Sequence, residues 1–243
     1  MFTFLDVIYP PRCPICDGVR FFNEDVCCKV CREKISFVTE PFCMCCGRPL
    51  SREDREFCFD CSKKKRSYQN GLSLGVYEGA LRDSIVRCKF HGRQEYASWY
   101  ADEIVQLQSE RLKALQADAI VPIPMHPRKE RKRGYNQAAL FGTELAKRLD
   151  IPMVGNILLR TRFTEPQKEL NDTARLQNLL DAFAVDEIRL AEYKKNHSFE
   201  RVILVDDIYT TGSTMEACAR LLRKSGVTFI APVTVAVAGG HEQ

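Results

Sequence analysis

Long apolar runs are missing from this chain. No uninterrupted stretch approaches the roughly 20 residues that a helical membrane span requires, so a membrane-spanning protein is not expected. The N-terminal MFTFLDVIYPPRC lacks a charged start followed by an apolar core, so no secretory signal is read there and the expected compartment is the cytoplasm. A strong charge imbalance is missing too. The net charge is +4, with 45% hydrophobic and 28% charged residues, an ordinary globular composition that rules out wholesale disorder. Such a balance permits contact with a polyanion without requiring it, and any such reading must rest on local clustering. At 243 residues the chain can hold one sizeable domain and a small one.

Cysteine, by contrast, is abundant and badly spread. Ten of the 12 fall between Cys13 and Cys61. Eight form CxxC pairs, Cys13/Cys16, Cys28/Cys31, Cys43/Cys46 and Cys58/Cys61. Each half reads CxxC, eleven residues, CxxC, and the second half repeats the first at an offset of thirty. In a chain without a secretory signal this pattern points to metal rather than disulfides. Four thiolates per half suit tetrahedral Zn²⁺ with no open position, so two structural zinc ions are expected, supplying the folding energy that so short a segment cannot draw from a core. Which pairs share a metal stays open, sequential or cross-braced. Cys27 and Cys45 fall outside the register and read as spare thiols, although either could stand in for a neighbouring ligand. Residues 1–66 form this module and residues 67–243 a second domain.

The second domain is organised around VILVDDIYTTGST, residues 202–214. Four aliphatic residues read as a buried strand ending at Val205, followed by two acids, Asp206 and Asp207. A loop of small hydroxyl residues around Gly212 then precedes a helical pattern. Ligands in open α/β folds sit at the C-terminal edges of strands. Thr210, Thr211, Gly212, Ser213 and Thr214 offer hydroxyls and amides where a helix dipole favours an anion, and the glycine admits a phosphate closely. Carboxylates beside such a cradle would repel a phosphate unless they face ribose hydroxyls or a phosphate-bound Mg²⁺. A plain capped helix entry is the bland alternative. No lysine follows Gly212, which excludes a Walker A loop, and the single glycine excludes a dinucleotide fingerprint.

Around it, strands alternate with helices, which predicts a parallel α/β sheet. GLSLGVYEG reads as a strand and turn. A helix over 81–90 carries Leu81, Ile85, Val86 and Phe90 on one face and stops at Gly92. A second helix spans 95–115, with Trp99, Ile104, Leu107, Leu112 and Leu115 as core. DAIVPIP is a second strand ended by Pro122 and Pro124. Residues 128–133 then carry five positive charges, Arg128, Lys129, Arg131, Lys132 and Arg133, ahead of GYNQ at a helix start. Such a cluster suits a polyanion, and a solvated face is its ordinary alternative. Residues 153–159 read as a strand, 161–170 as a long mobile loop, 171–180 as a short helix, 182–185 as a strand and 188–200 as a poorly patterned connector. The strand over 229–237 closes the chain. Lys63, Lys64, Lys65, Arg66 and Ser67 read as a solvated linker.

VILVDDIYTTGST resembles the PRPP-binding signature of type I phosphoribosyltransferases. Together with the tandem CxxC pairs, KFHGR, VPIPMHPRKERKRGYNQA and a PQ-containing loop followed by Arg175 and Asn178, it is similar to the ComF family of bacterial competence proteins. The resemblance implies a zinc segment ahead of a type I phosphoribosyltransferase-like parallel sheet flanked by helices. It implies that Asp206 and Asp207 hold the ribose hydroxyls of PRPP, with Mg²⁺, and that residues 210–214 hold the 5′-phosphate. Pro124, Met125 and His126 would form the pyrophosphate loop, Arg133 would reach the diphosphate, and residues 164–170 would close over the site. It further implies a role in natural transformation, with single-stranded DNA and a membrane-associated helicase as partners and recruitment to the inner membrane face. Arg128, Lys129, Arg131 and Lys132, helped by Lys63 to Arg66 and by the ring of Tyr135, would hold the DNA. The other expectation is an active phosphoribosyltransferase of unknown acceptor, unconnected with DNA uptake.

Overall fold

The computed structural model describes residues 10–20, 25–162 and 177–239. In chain order the elements are α1 (Lys29–Arg32), α2 (Phe59–Lys63), β1 (Leu72–Val76), α3 (Gly79–Phe90), α4 (Tyr96–Ala114), β2 (Ala119–Pro122), α5 (Pro127–Arg133) and α6 (Gln137–Leu149). They continue as β3 (Leu158–Arg160), β4 (Phe183–Val185), α7 (Glu187–Lys194), β5 (Arg201–Tyr209), α8 (Ser213–Lys224) and β6 (Phe229–Val237). The main sheet runs β1-β6-β5-β2, and all adjacent pairs are parallel. All nine residues of β6 are buried, as its almost wholly apolar sequence requires of a strand covered on both faces, and its one polar side chain, Thr234, shares a hydroxyl bond with Ser73 (2.7 Å). β3 and β4 pair antiparallel in a small second sheet.

β5 does not stop at Val205. It carries on through both acids to Tyr209, because β6 runs alongside and pairs Asp206 with Thr234, Ile208 with Ala236 and Tyr209 with Val237. Backbone pairing, not side-chain polarity, sets its end. Four other expectations are corrected. The strand expected over 153–159 is reduced to β3, and Met153 makes only a parallel bridge to Ile120. The connector after Asp186 contains α7, whose N-terminus is capped by the Asp186 carboxylate accepting from the Arg189 N–H (3.1 Å). The basic residues 128–133 are themselves a helix, α5, which Pro127 opens and Gly134, with φ of 89°, closes. Leu107, expected in the core, is exposed, and so is Phe90. Of the expected mobile loop only Thr161 and Arg162 lie within the described residues, and of the helix over 171–180 only residues 177–180, which are helical.

The cysteine module shares its core with the α/β domain. Val38 donates its N–H to Leu74 O (3.0 Å) and Val76 donates to Ser36 O (2.8 Å), so residues 36–38 cover the free edge of β1. The thirty-residue repeat is reproduced in the backbone. Cys13 N donates to Gly18 O at 2.8 Å and Cys43 N to Arg48 O at 2.7 Å; Arg32 N donates to Cys28 O and Ser62 N to Cys58 O, both at 2.9 Å. At Gly71 the second repeat presses onto the start of β1, where an added Cβ would lie 2.6 Å from Cys45 O. Among the described residues no helix is long and apolar enough to cross a membrane.

Candidate functional site

At the C-terminal edge of β5, Asp206 accepts a hydrogen bond from the Asp207 N–H (2.8 Å). Desolvation, reinforced by the neighbouring Asp207 charge, pushes the Asp206 carboxyl well above the usual carboxylate range. Asp207 instead faces a cation: Lys89 Nζ, from the end of α3, lies 2.6 Å from its Oδ2. Both side chains of that pair are less than a fifth exposed, at 17% and 18%. Beyond Tyr209 the chain turns through Gly212, with φ of 74°, into α8. Thr211 Oγ1 and Ser213 Oγ share a 2.9 Å hydrogen bond. The first intrahelical bond runs from Glu216 N to Gly212 O (2.8 Å) and the Ser213 N–H donates to Thr211 Oγ1 (3.4 Å), so the amides of Thr214 and Met215 are the ones the helix start offers a ligand. An added Cβ at Gly212 would run into the Tyr209 hydroxyl and lie 2.7 Å from that of Tyr68. Gly212→Ala is therefore expected to destabilise the protein by about 1–3 kcal/mol, read as a lowered midpoint of thermal unfolding.

Pro124, Met125 and His126 form the turn between β2 and α5. His126 Nδ1 accepts from the Arg128 N–H (3.1 Å) and caps α5. Burial and the cations Arg128, Arg160, Lys129 and Arg131 hold its pKa below the ordinary imidazole value, consistent with a neutral, accepting Nδ1. Asn136 ties this turn to α6, donating from Nδ2 to Ile123 O (3.0 Å) while Oδ1 accepts from the Ala138 N–H (3.1 Å). Arg133 donates to Gln137 Oε1 and stacks on the Phe90 ring, 5.0 Å from its centroid. Tyr135 is only part-exposed, and its hydroxyl donates to Cys88 O. Two site cations were not read from the sequence. Lys89 lies in KFHGR, a motif quoted without a role. Arg160 gave no signal, yet it lies within electrostatic reach of both His126 and Asp206.

The stretch read as a solvated linker is docked at its far end. Ser67 donates through N (3.0 Å) and Oγ (2.9 Å) to the buried Glu216 carboxylate of α8. Arg66 Nη2 donates to Thr211 O (3.1 Å), and Tyr68 and Tyr209 share a buried hydroxyl–hydroxyl bond of 2.7 Å beneath Gly212. From the cysteine module Arg48, only 8% exposed, donates Nη2 to Thr210 O (2.9 Å) and Nη1 to Asp60 Oδ2 (3.1 Å). The hydroxyl loop is thus braced from below by two tyrosines and from the side by two arginines.

The cysteines form two tetrads, Cys13/Cys16/Cys28/Cys31 and Cys43/Cys46/Cys58/Cys61, with sulfurs within 4.8 Å of one another. The pairing is sequential, not cross-braced. A tetrahedral site with Zn–S of about 2.3 Å spaces its sulfurs by about 3.8 Å. Cys16 and Cys28 are 3.9 Å apart, and Cys46 and Cys58 3.8 Å, so both donor sets fit structural zinc. Cys27 and Cys45 are buried outside the tetrads, their thiols directed to Cys28 O and Tyr68 O.

Comparison with known proteins finds two domain matches. A double zinc ribbon domain matches residues 4–62 and a phosphoribosyl transferase domain matches residues 136–243. Competence protein F of Haemophilus influenzae is 35% identical over 69% of this chain and 72% of its own length. DNA utilization protein YhgH of Escherichia coli K12 is 30% identical over 70% of this chain and 73% of its own. Competence protein ComFC of Bacillus subtilis is 28% identical over 63% of this chain and 58% of its own. Relatives of that identity and span show that the chain belongs to the ComF family of competence proteins, a double zinc ribbon followed by a phosphoribosyltransferase-type α/β domain.

Proposed function

We propose that this protein binds PRPP with Mg²⁺ at the C-terminal edge of β5 and handles incoming single-stranded DNA in the cytoplasm during natural transformation. The observation that carries the first half is the juxtaposition of the acid pair with the Gly212 loop on one strand end. Asp206 and Asp207 would take the ribose hydroxyls, with Mg²⁺ neutralising the diphosphate. Residues 210–214 would take the 5′-phosphate, and Pro124, Met125, His126 and Arg133 the diphosphate. Lys89 stands in the meantime as the counter-charge of Asp207. Calorimetry of PRPP with Mg²⁺ tests this half.

The DNA half is supported by α5, where Arg128, Arg131 and Lys132 are exposed and enter no ion pair among the described residues. It is also supported by what the names of the relatives say of those proteins, competence and DNA utilization. Phosphate contacts release counterions, so removing two of them is expected to flatten the slope of log affinity against log salt by about 1.4 for a single strand. Arg131→Ala with Lys132→Ala should show that change in fluorescence anisotropy with an oligonucleotide. An unchanged slope would remove α5 from the interface. A membrane-associated helicase is the partner this reading implies. Turnover of PRPP onto an acceptor is the alternative, and pyrophosphate release from PRPP and Mg²⁺ would favour it.

A further inference from the structure

Phe90 ends α3 and is 65% exposed. A single exposed phenylalanine is unremarkable on a soluble protein, but the surroundings of this one are specific. Arg133 lies against its ring at 5.0 Å and is itself held by Gln137. The Tyr135 hydroxyl fastens Cys88 O, so the last turn of α3 is pinned to the junction of α5 and α6. The ring therefore stands against the C-terminal end of the basic helix, on the residue after the lysine that faces Asp207. Of the carboxylates in this region, Asp207 is paired with Lys89, the exposed Glu95 lies 3.7 Å from Arg93, and Glu130 stands exposed among the cations of α5. An exposed aromatic ring, backed by a guanidinium and near the exposed cations Arg128, Arg131 and Lys132, is what stacks a base while neighbouring phosphates find positive charge. Tyr135, the aromatic singled out from sequence, is spent on Cys88 O. The helix α5 has no apolar face of its own to enter a lipid surface.

We propose that Phe90, backed by Arg133, is a stacking platform for one base of single-stranded nucleic acid, with the cations of α5 on the flanking phosphates. The proposal rests on the DNA-handling reading above and names where the base sits. Anisotropy titrations with an oligo-dT and an abasic strand of equal length test it. Phe90→Ala is expected to weaken oligo-dT about tenfold, to leave the salt slope unchanged and to leave the abasic strand unaffected. Phe90→Trp should keep affinity, and its added fluorescence should be quenched by oligo-dT but not by the abasic strand. Equal binding of oligo-dT by wild type and Phe90→Ala would overturn the platform while leaving the DNA reading intact. So would a loss shared equally by both strands, since that would mark a packing or charge effect. Wild type that binds neither strand would overturn both, and binding of an acidic peptide in their place would assign this surface to a protein partner.

Discussion

Replacing Asp206 and Asp207 together by asparagine is expected to weaken PRPP binding in the presence of Mg²⁺ by roughly 10²–10⁴-fold, since two charge-assisted contacts at about 1.5–3 kcal/mol each are removed. The two positions should behave differently in the free protein. Asp206 has its folded pKa raised by desolvation and by Asp207. A carboxyl raised above its unfolded value, near 3.9, costs stability as pH climbs from that value through the folded pKa, and costs nothing below both. Asparagine removes the charge and keeps an oxygen to accept from the Asp207 N–H. Asp206→Asn alone should therefore melt higher than wild type at neutral pH, by roughly 2–4 °C for each kcal/mol relieved, with the gain vanishing toward pH 4. Asp207→Asn should show no such gain, because it strips Lys89 of its partner. The same sign argument makes PRPP affinity fall as pH drops through the raised Asp206 pKa. A double variant that still binds PRPP like wild type would sink the assignment of this edge.

The difference between the two acids could not be read from DD in a sequence. It depends on Lys89, which arrives from more than a hundred residues away and points there only because α3 ends beside the C-terminal edge of β5. What was legible is what has a local cause. Spacing gave the four CxxC pairs and their thirty-residue repeat, while the sharing of pairs into tetrads came only with the fold, and a mostly apolar run gave β6 to the residue. The hydroxyl loop and α8 followed from Gly212 and the helical pattern behind it. Long-range contacts account for the misses. β5 outlasts its apolar run because β6 continues beside it. α7 has a single buried residue, Leu190, so its sequence shows no stripe, and a cap at Asp186 defines its start instead. The brace from Arg48 to Thr210 spans 162 residues. Phe90 is the exception: it comes nine residues after Leu81, half a turn away at about 3.6 residues per turn. It therefore falls on the face opposite the buried Leu81, Ser84, Ile85 and Cys88, and the single face read from the sequence does not exist.

That brace makes metal removal the second large effect. Stripping zinc from the holoprotein is expected to unfold the cysteine module and, through its second ribbon, to loosen the hydroxyl loop. The buried residues of the module include seven of the eight-plus-two cysteines between 13 and 61, namely Cys13, Cys27, Cys31, Cys43, Cys45, Cys46 and Cys58, so little apolar core survives the loss of metal. Each structural site of this kind contributes on the order of 10–16 kcal/mol of metal-coupled folding. The ribbons should not be equivalent. The first meets the α/β domain through Asp17 to Arg93 (2.8 Å), Arg32 to Glu103 (2.9 Å) and Arg87 to Ile15 O, and none of these contacts is to the hydroxyl loop. The second holds Asp60, beside Cys61, against Arg48, which carries the contact to Thr210. The repeat places Gly18 where the second ribbon has Arg48, so only the second ribbon can make this contact. Cys16→Ser and Cys46→Ser should each lose one zinc by elemental analysis, but only Cys46→Ser should weaken PRPP binding by calorimetry. Arg48→Ala should retain both zinc ions and share the weakened binding. If both cysteine variants bound PRPP equally well, the second ribbon would be a neighbour of the loop and not its support.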